Sequence, residues 1–307
     1  MIVAENVHVH FRRGLLGEPI RALDGLNLEV REGDFFGLVG QNGAGKSTAM
    51  YCFLGLLRPT TGSVRVMGAI PEIGSKLYNG VAYLPEEPHY HLYLTVEEAT
   101  RYYASLYGKP VPQKLIDEAL ERMDLVQFKT LPLSKCSKGM KQKVGLAQCL
   151  IHETRLLFLD EPTRGIDPIV VLMIRDALRD LHRRGATIVM NSHVLSEMEM
   201  LANRVAIIER GKVIVQDELK NLTKLDQDLY KVAFESRGAL PDYFTLEERR
   251  DGVAAGTVPA ARLYEFIEYT RESGLRLLEC SLKKATLEES FLKILRGDKD
   301  LNQIHQS

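Results

Sequence analysis

Gly40-Gln41-Asn42-Gly43-Ala44-Gly45-Lys46-Ser47-Thr48 is the stretch on which the reading of this 307-residue chain turns. It follows Phe35-Phe36-Gly37-Leu38-Val39, an apolar run of the length and make-up of a buried strand, and precedes Ala49-Met50-Tyr51-Cys52-Phe53-Leu54, which can continue as a helix. Gly40, Gly43 and Gly45 let the backbone fold tightly and turn its N–H groups inward. A nest of donors and a helix N-terminus then surround a polyphosphate. The full G-x-x-x-x-G-K-S pattern in this strand–loop–helix setting places Lys46 on β/γ-phosphates and Ser47 on Mg²⁺. The alternative is a glycine-rich turn that binds nothing.

Length and composition bound what surrounds the loop. The chain is long enough for one large or two modest domains, and 45% hydrophobic residues suffices for a packed core. No apolar run approaches the roughly 18 residues that span a bilayer, and the N-terminus lacks the order of a secretory signal. A membrane role would therefore run through a partner. Lys and Arg total 40 against 41 Asp and Glu, a net charge of −1, which gives no global pull toward nucleic acid. The four cysteines, Cys52, Cys136, Cys149 and Cys280, contain no C-x-x-C pair and read as reduced thiols of a cytoplasmic protein.

Upstream of the loop, Ile2 to Val9 and Leu23 to Val30 alternate like strands, joined by a connection carrying Arg12-Arg13-Gly14, Gly17 and Pro19. With Ser63 to Met67 they can form a small antiparallel sheet. Phe11, placed just past the first strand, either stacks on a base or fills the edge of the core. His8 and His10 share a strand face, but no third or fourth metal ligand is near in sequence. The H-x-H of His89-Tyr90-His91 also lacks further ligands, and an exposed aromatic loop fits a protein partner better.

Between Pro85 and Leu150 the pattern turns helical. Thr95-Val96-Glu97-Glu98 is a capping box whose helix runs to a stop at Gly108-Lys109-Pro110, and a second helix opens after Pro112. Ser137 precedes Met140, Val144, Ala147, Leu150 and Ile151 at helical spacing, so it caps a helix with Gly139 in its first turn. That second helix N-terminus, among Lys135, Lys138 and Lys141, suits an anion or is simply a solvated face.

Leu156-Leu157-Phe158-Leu159-Asp160-Glu161 reads as a buried parallel strand ending in two carboxylates, at the edge where open α/β sheets bind ligands. Asp160 there can orient Mg²⁺, and Glu161 can take a proton from an attacking water. Asp167-Pro168 starts a helix that stops at Gly185, and Ala186 to Met190 is another buried strand, ending at Asn191-Ser192-His193. His193 can donate to a terminal phosphate or serve as a cap. Val205–Glu209 and Lys212–Gln216 flank Arg210-Gly211 as a hairpin. After about Asn221 the pattern restarts with strands at Tyr230–Phe234 and Leu275–Leu282, helices at Ala260–Thr270 and from Thr286, and a polar tail from Asp298.

Taken in order, these pieces resemble the nucleotide-binding subunit of ATP-binding cassette (ABC) transporters over roughly the first two-thirds of the chain. Gly40 to Thr48 is similar to the family's Walker A motif, and Leu156 to Glu161 to its Walker B motif with the catalytic carboxylate. Ser137-Lys138-Gly139-Met140 is similar to the signature in which serine and glycine meet the γ-phosphate of ATP held by an opposing subunit. Ile166-Asp167 resembles the D-loop, His193 the switch histidine, and Phe11 the adenine-stacking aromatic.

The resemblance implies an α/β P-loop NTPase cassette over residues 1–220, with a mixed sheet, a small antiparallel β subdomain and a helical signature subdomain at about 87–150. A C-terminal α+β domain at 221–307 follows. It implies an ATPase with ATP and Mg²⁺, working as a homodimer or heterodimer with an integral-membrane permease, peripheral on the cytoplasmic face. A soluble ATPase acting on a non-membrane partner is the alternative. The family's Mg²⁺-sensing glutamine is replaced by Glu86 in Tyr83-Leu84-Pro85-Glu86-Glu87, which can still ligate Mg²⁺ but adds a negative charge. Cys136 and Lys138 also depart from the usual signature. Pro85-Glu86 and the tail Thr286 to Leu292 resemble the mainly exporter branch with a separate permease.

Overall fold

The computed structural model describes residues 1–12, 19–106, 110–223, 225–236 and 240–296. The expected connection at Arg13, Gly14 and Gly17, the helix stop at Gly108 and Lys109, and the tail from Asp298 lie outside them. The chain divides into two compact units, Met1–Leu219 and Lys220–Ser307.

The first unit is built on a six-stranded sheet. Its strands are β3 (Phe35–Val39), β5 (Val81–Leu84), β6 (Leu156–Asp160), β7 (Thr187–Asn191), β8 (Arg204–Glu209) and β9 (Lys212–Glu218), in the order β5-β6-β7-β3-β8-β9. All neighbours are parallel except the β8–β9 hairpin. Strands β3, β6 and β7 are buried at every position, which is why each reads as a continuous apolar run rather than an alternation. Parallel pairing has a direct consequence for function: the chain segments that follow β3, β5, β6 and β7 all emerge at one edge of the sheet.

The opposite edge carries stability. Asp34, just before β3, and Arg204, which opens β8, form a buried ion pair at 2.7 Å. The guanidinium also lies over the Phe36 ring, 5.7 Å from its centroid.

A second, three-stranded antiparallel sheet has the order β2-β1-β4, from β1 (Ile2–Arg12), β2 (Pro19–Val30) and β4 (Thr61–Val66). Its inner residues Val7, Val9, Leu23 and Leu26 pack with Ala44, Met50 and Phe53 of the loop and of helix α1 (Lys46–Phe53), so this sheet backs the phosphate loop. One expectation is corrected here. Phe11 does not follow the first strand but lies in it, opposite Ile20, because the β1–β2 ladder runs past Val9 to Arg12 and Pro19 with a register shift between Val9 and His10.

Helices α2 (Val96–Ser105), α3 (Gln113–Arg122) and α4 (Lys138–Ile151) form the helical insert. The Thr95–Glu98 capping box is present in full, and Ser137 Oγ accepts from Met140 N at 3.2 Å as the α4 cap, each such cap stabilising its helix by about 1 kcal/mol. Helix α5 (Pro168–Arg183) begins with Asp167 Oδ1 accepting from Ile169 N at 2.8 Å, and α6 (Leu195–Leu201) follows β7.

The second unit begins within the short α7 (Leu219–Leu222). It holds a four-stranded antiparallel sheet, β11-β12-β10-β13, from β10 (Leu225–Glu235), β11 (Thr245–Arg250), β12 (Val253–Pro259) and β13 (Leu277–Lys284), with helices α8 (Leu263–Glu272) and α9 (Leu287–Arg296). Its core is Val232, Phe234, Phe244, Ala254, Val258 and Phe266. The β11–β12 hairpin is absent from the sequence reading. It turns at Asp251 (φ 49°) and Gly252 (φ 79°), the positive-φ pair that an Asp-Gly hairpin turn requires.

Candidate functional site

The loop after β3 is shaped by its glycines. Gly45 sits at φ 108°, and a Cβ there would lie 2.6 Å from the Ala22 carbonyl oxygen; at Gly40 a Cβ would come within 2.3 Å of the Ile208 oxygen. Helix α1 then starts at Lys46 with no side-chain cap, leaving its first N–H groups to serve the loop. Lys46 is buried and donates through Nζ to the carbonyls of Gly40 (2.6 Å) and Gln41 (3.1 Å). Burial lowers its pKa, while the charges of Glu161 and Asp160 act to raise it. Asn42 and Gly43 are exposed at the mouth, Ala44 is buried, and Thr48 lies one residue into α1 beyond Ser47.

Asp160 ends β6 directly beside Asn191 at the end of β7. Asn191 Nδ2 donates to Asp160 Oδ1 at 2.6 Å and to Ser47 Oγ at 3.3 Å, and Ser47 Oγ stands 3.5 Å from Asp160 Oδ1. Burial raises the Asp160 pKa; Asn191 and Ser47 counter this, and the negative charges of Glu161 and Glu86 add to the rise. A hydroxyl and a buried carboxylate are hard oxygen donors that suit a small divalent cation, so these residues fit Mg²⁺.

Glu161 follows at φ 46°, a left-handed conformation uncommon outside glycine, with its N–H held by the Asn191 carbonyl at 2.9 Å. Its buried carboxylate pairs with His193 Nδ1 at 2.6 Å, and His193 is partly open to solvent. Glu86, two residues beyond β5, pairs instead with Arg164 Nη1 at 2.6 Å. Hydrogen bonds and ion pairs thus tie Ser47, Asp160, Glu161, Asn191 and His193 into one edge. Among the described residues none of these bonds joins Ser137 or Gly139 to it. Gly139 faces Ile166, just before α5, and Val170 in its first turn, with a notional Cβ 3.4 Å from Ile166, and Ser137 is exposed.

This arrangement has matches among known proteins. The family model for ABC transporters matches residues 23–164. An uncharacterized ABC transporter ATP-binding protein of Nostoc sp. is 32% identical over 317 residues, spanning 99% of this chain and 92% of that protein. The chain belongs to the ABC transporter family. It is an ATP-binding, ATP-hydrolysing subunit of that family. The bacitracin transport ATP-binding protein BcrA of Bacillus licheniformis is 32% identical over 90% of this chain and 93% of its own length. A solved ATP-binding subunit of an ABC transporter superposes with a TM-score of 0.63 at 27% identity, covering 72% of this chain and 91% of that one. A dimeric ATP-binding cassette bound to ADP and Pi has a TM-score of 0.65 at 23% identity, a likeness of fold.

Within this ABC subunit, Asn191 and Arg164 are the residues that sequence reasoning passed over. Asn191 was visible as a strand end, but its part depends on β7 lying beside β6. Phe11 is 43% exposed on the sheet that backs the loop. Two histidine sites also resolve. His8, His10 and Asp24 bring ligand atoms within 4.8 Å of one another, so a third candidate metal ligand does exist, supplied across the ladder. Yet Asp24 already meets Lys212 (3.3 Å), His8 (3.4 Å) and Arg21 (3.9 Å), and a dication there would face two fixed positive charges. His91 instead joins a ring cluster with Tyr93, Tyr102 and Tyr103.

Proposed function

We propose that this subunit powers export through a separately encoded integral-membrane permease, from the cytoplasmic face of the membrane. Two copies of the chain, or this chain and a close relative, close head to tail around two ATP molecules. Lys46 and the N–H groups of Gly43 to Thr48 hold the phosphates, and Phe11 stacks on the adenine. Ser47 and Asp160 would hold Mg²⁺, with Glu86 as a further ligand, and the bound ion would neutralise charge on the phosphates. Glu161 takes the proton of the attacking water, and His193 orients the terminal phosphate. Ser137 and Gly139 of the opposing subunit complete the site.

The observation that carries this reading is the single bonded edge from Ser47 to His193, with Ser137 and Gly139 left outside it. Phosphoryl transfer depends on positioning and charge neutralisation, so a site completed only on closure ties hydrolysis to a change of shape. No helix of the described residues is long and apolar enough to cross a membrane, and the proposal assigns the membrane path to the permease. The export direction rests on relatives named for bacitracin transport and, in Mycobacterium tuberculosis, for fluoroquinolone export at 35% identity over 80% of this chain. The exposed Leu92, Tyr93 and Tyr102 offer the permease an apolar, aromatic contact.

ATP turnover by the purified chain is the test. Lys46→Ala is expected to weaken ATP binding about tenfold to a hundredfold, as loss of a charge-assisted contact should. Unchanged hydrolysis would remove the phosphate-loop assignment. Cross-linking in native membranes should recover an integral-membrane chain with the subunit.

A further inference from the structure

Glu86 brings a negative charge that acts on Asp160, where a glutamine would bring none, and the structure supplies it with a counterion. Arg164 lies three residues beyond Glu161, in a turn closed by Arg164 N to Glu161 O (3.2 Å) and Ile166 N to Thr163 O (3.2 Å). That turn is anchored from beneath, since the buried Thr163 Oγ1 donates to Glu197 Oε2 at 2.6 Å. Because β5 and β6 run parallel with Leu84 opposite Leu159, the segments carrying Glu86 and Glu161 leave the sheet at the same level. The Arg164 guanidinium closes the gap and meets Glu86 Oε1 at 2.6 Å.

We propose that Arg164 is a positioning residue that competes with the divalent cation for Glu86. The ion pair holds Glu86 against the turn after β6; a cation arriving with ATP at Ser47 and Asp160 draws Glu86 away and frees Arg164. Metal occupancy is thereby linked to the segment leading into Asp167 and α5. A neutral glutamine would need no such counterion, so Glu86 and Arg164 act as a unit. This rests on the assignment of Ser47 and Asp160 as the cation's ligands.

The experiment is a double-mutant cycle on the full chain, reading Mn²⁺ affinity by electron paramagnetic resonance with the non-hydrolysable analogue AMP-PNP. Arg164→Ala removes the competitor and is expected to tighten Mn²⁺ about two- to fivefold, the range set by a partly exposed ion pair. Arg164→Lys, which keeps a charge but loses the guanidinium's geometry, should fall between wild type and alanine. In a Glu86→Gln background, Arg164→Ala should do nothing. An equal tightening in both backgrounds would show only a general field effect and overturn the competition, as would no change or a weakening in Arg164→Ala. Lys46→Ala, run beside these, reports on nucleotide binding by the phosphate loop. A wild type that binds AMP-PNP no better than Lys46→Ala would overturn the loop assignment and this inference together, whereas additive effects in a nucleotide-binding chain overturn only the latter.

Discussion

Glu161 occupies the most constrained position of the site, buried, left-handed in its backbone and bonded to His193. Replacing its carboxylate by an amide keeps the shape and removes the proposed base. Glu161→Gln is therefore expected to bind ATP as wild type does and to lose turnover by about 10²- to 10⁴-fold, measured as phosphate release in single-turnover assays. Gly45 poses the complementary constraint. Gly45→Ala must both adopt φ 108° and place a methyl 2.6 Å from the Ala22 oxygen, so a loss of about 1–3 kcal/mol in urea unfolding is expected, with weaker ATP binding. Lys46, Ser47, Asp160 and Glu161 were legible in the sequence because each lies at a set spacing from its own strand. Asn191 and Arg164 were not, since their partners Asp160 and Glu86 come from other strands and the pairing depends on strand order.

Strand order also explains how the sheet divides its labour. The N-terminal edge locks β3 to β8 through Asp34 and Arg204, both nearly free of solvent. Asp34→Ala would leave a buried guanidinium unpaired and is expected to cost about 3–5 kcal/mol in urea unfolding; replacing both residues by apolar ones should restore much of it. Apolar runs made β3, β6 and β7 readable, and cap chemistry at Thr95, Ser137 and Asp167 made α2, α4 and α5 readable. The β11–β12 hairpin escaped because β11, Thr-Leu-Glu-Glu-Arg-Arg, is exposed throughout and shows no apolar alternation. Its one local signal was Asp251-Gly252. Phe11 was set outside β1 although Val7, Val9 and Phe11 keep the apolar alternation, and the β1–β2 ladder itself runs on to Arg12.

Burial across the first unit sets its response to alkali. Burial pushes the Cys52 thiol up to about 11 and the Cys149 thiol up to about 12, against an ordinary 9.0. In the unfolded chain these thiols ionise from about pH 9, while in the fold they stay protonated. Their contribution is thus complete below pH 9 and is lost as pH rises toward 11 and 12, at about 1.4 kcal/mol per pH unit for each thiol. The urea midpoint should fall more steeply above pH 9 in wild type than in Cys149→Ala. With a thiol reagent, Cys280 is the exposed cysteine and is expected to react first in the native protein, with Cys52, Cys136 and Cys149 following on unfolding.

In the proposed arrangement one chain carries only part of the site, since Ser137 and Gly139 share none of the bonds that tie Ser47, Asp160, Glu161, Asn191 and His193 into one edge. The most direct measurement is the solution mass of Glu161→Gln by light scattering, with ATP and with ADP. With ATP the variant is expected at twice the 34.6 kDa of a single chain, with ADP at 34.6 kDa, and Ser137→Arg introduced into it should abolish the doubling. A 34.6 kDa species saturated with ATP would contradict a site shared between two subunits.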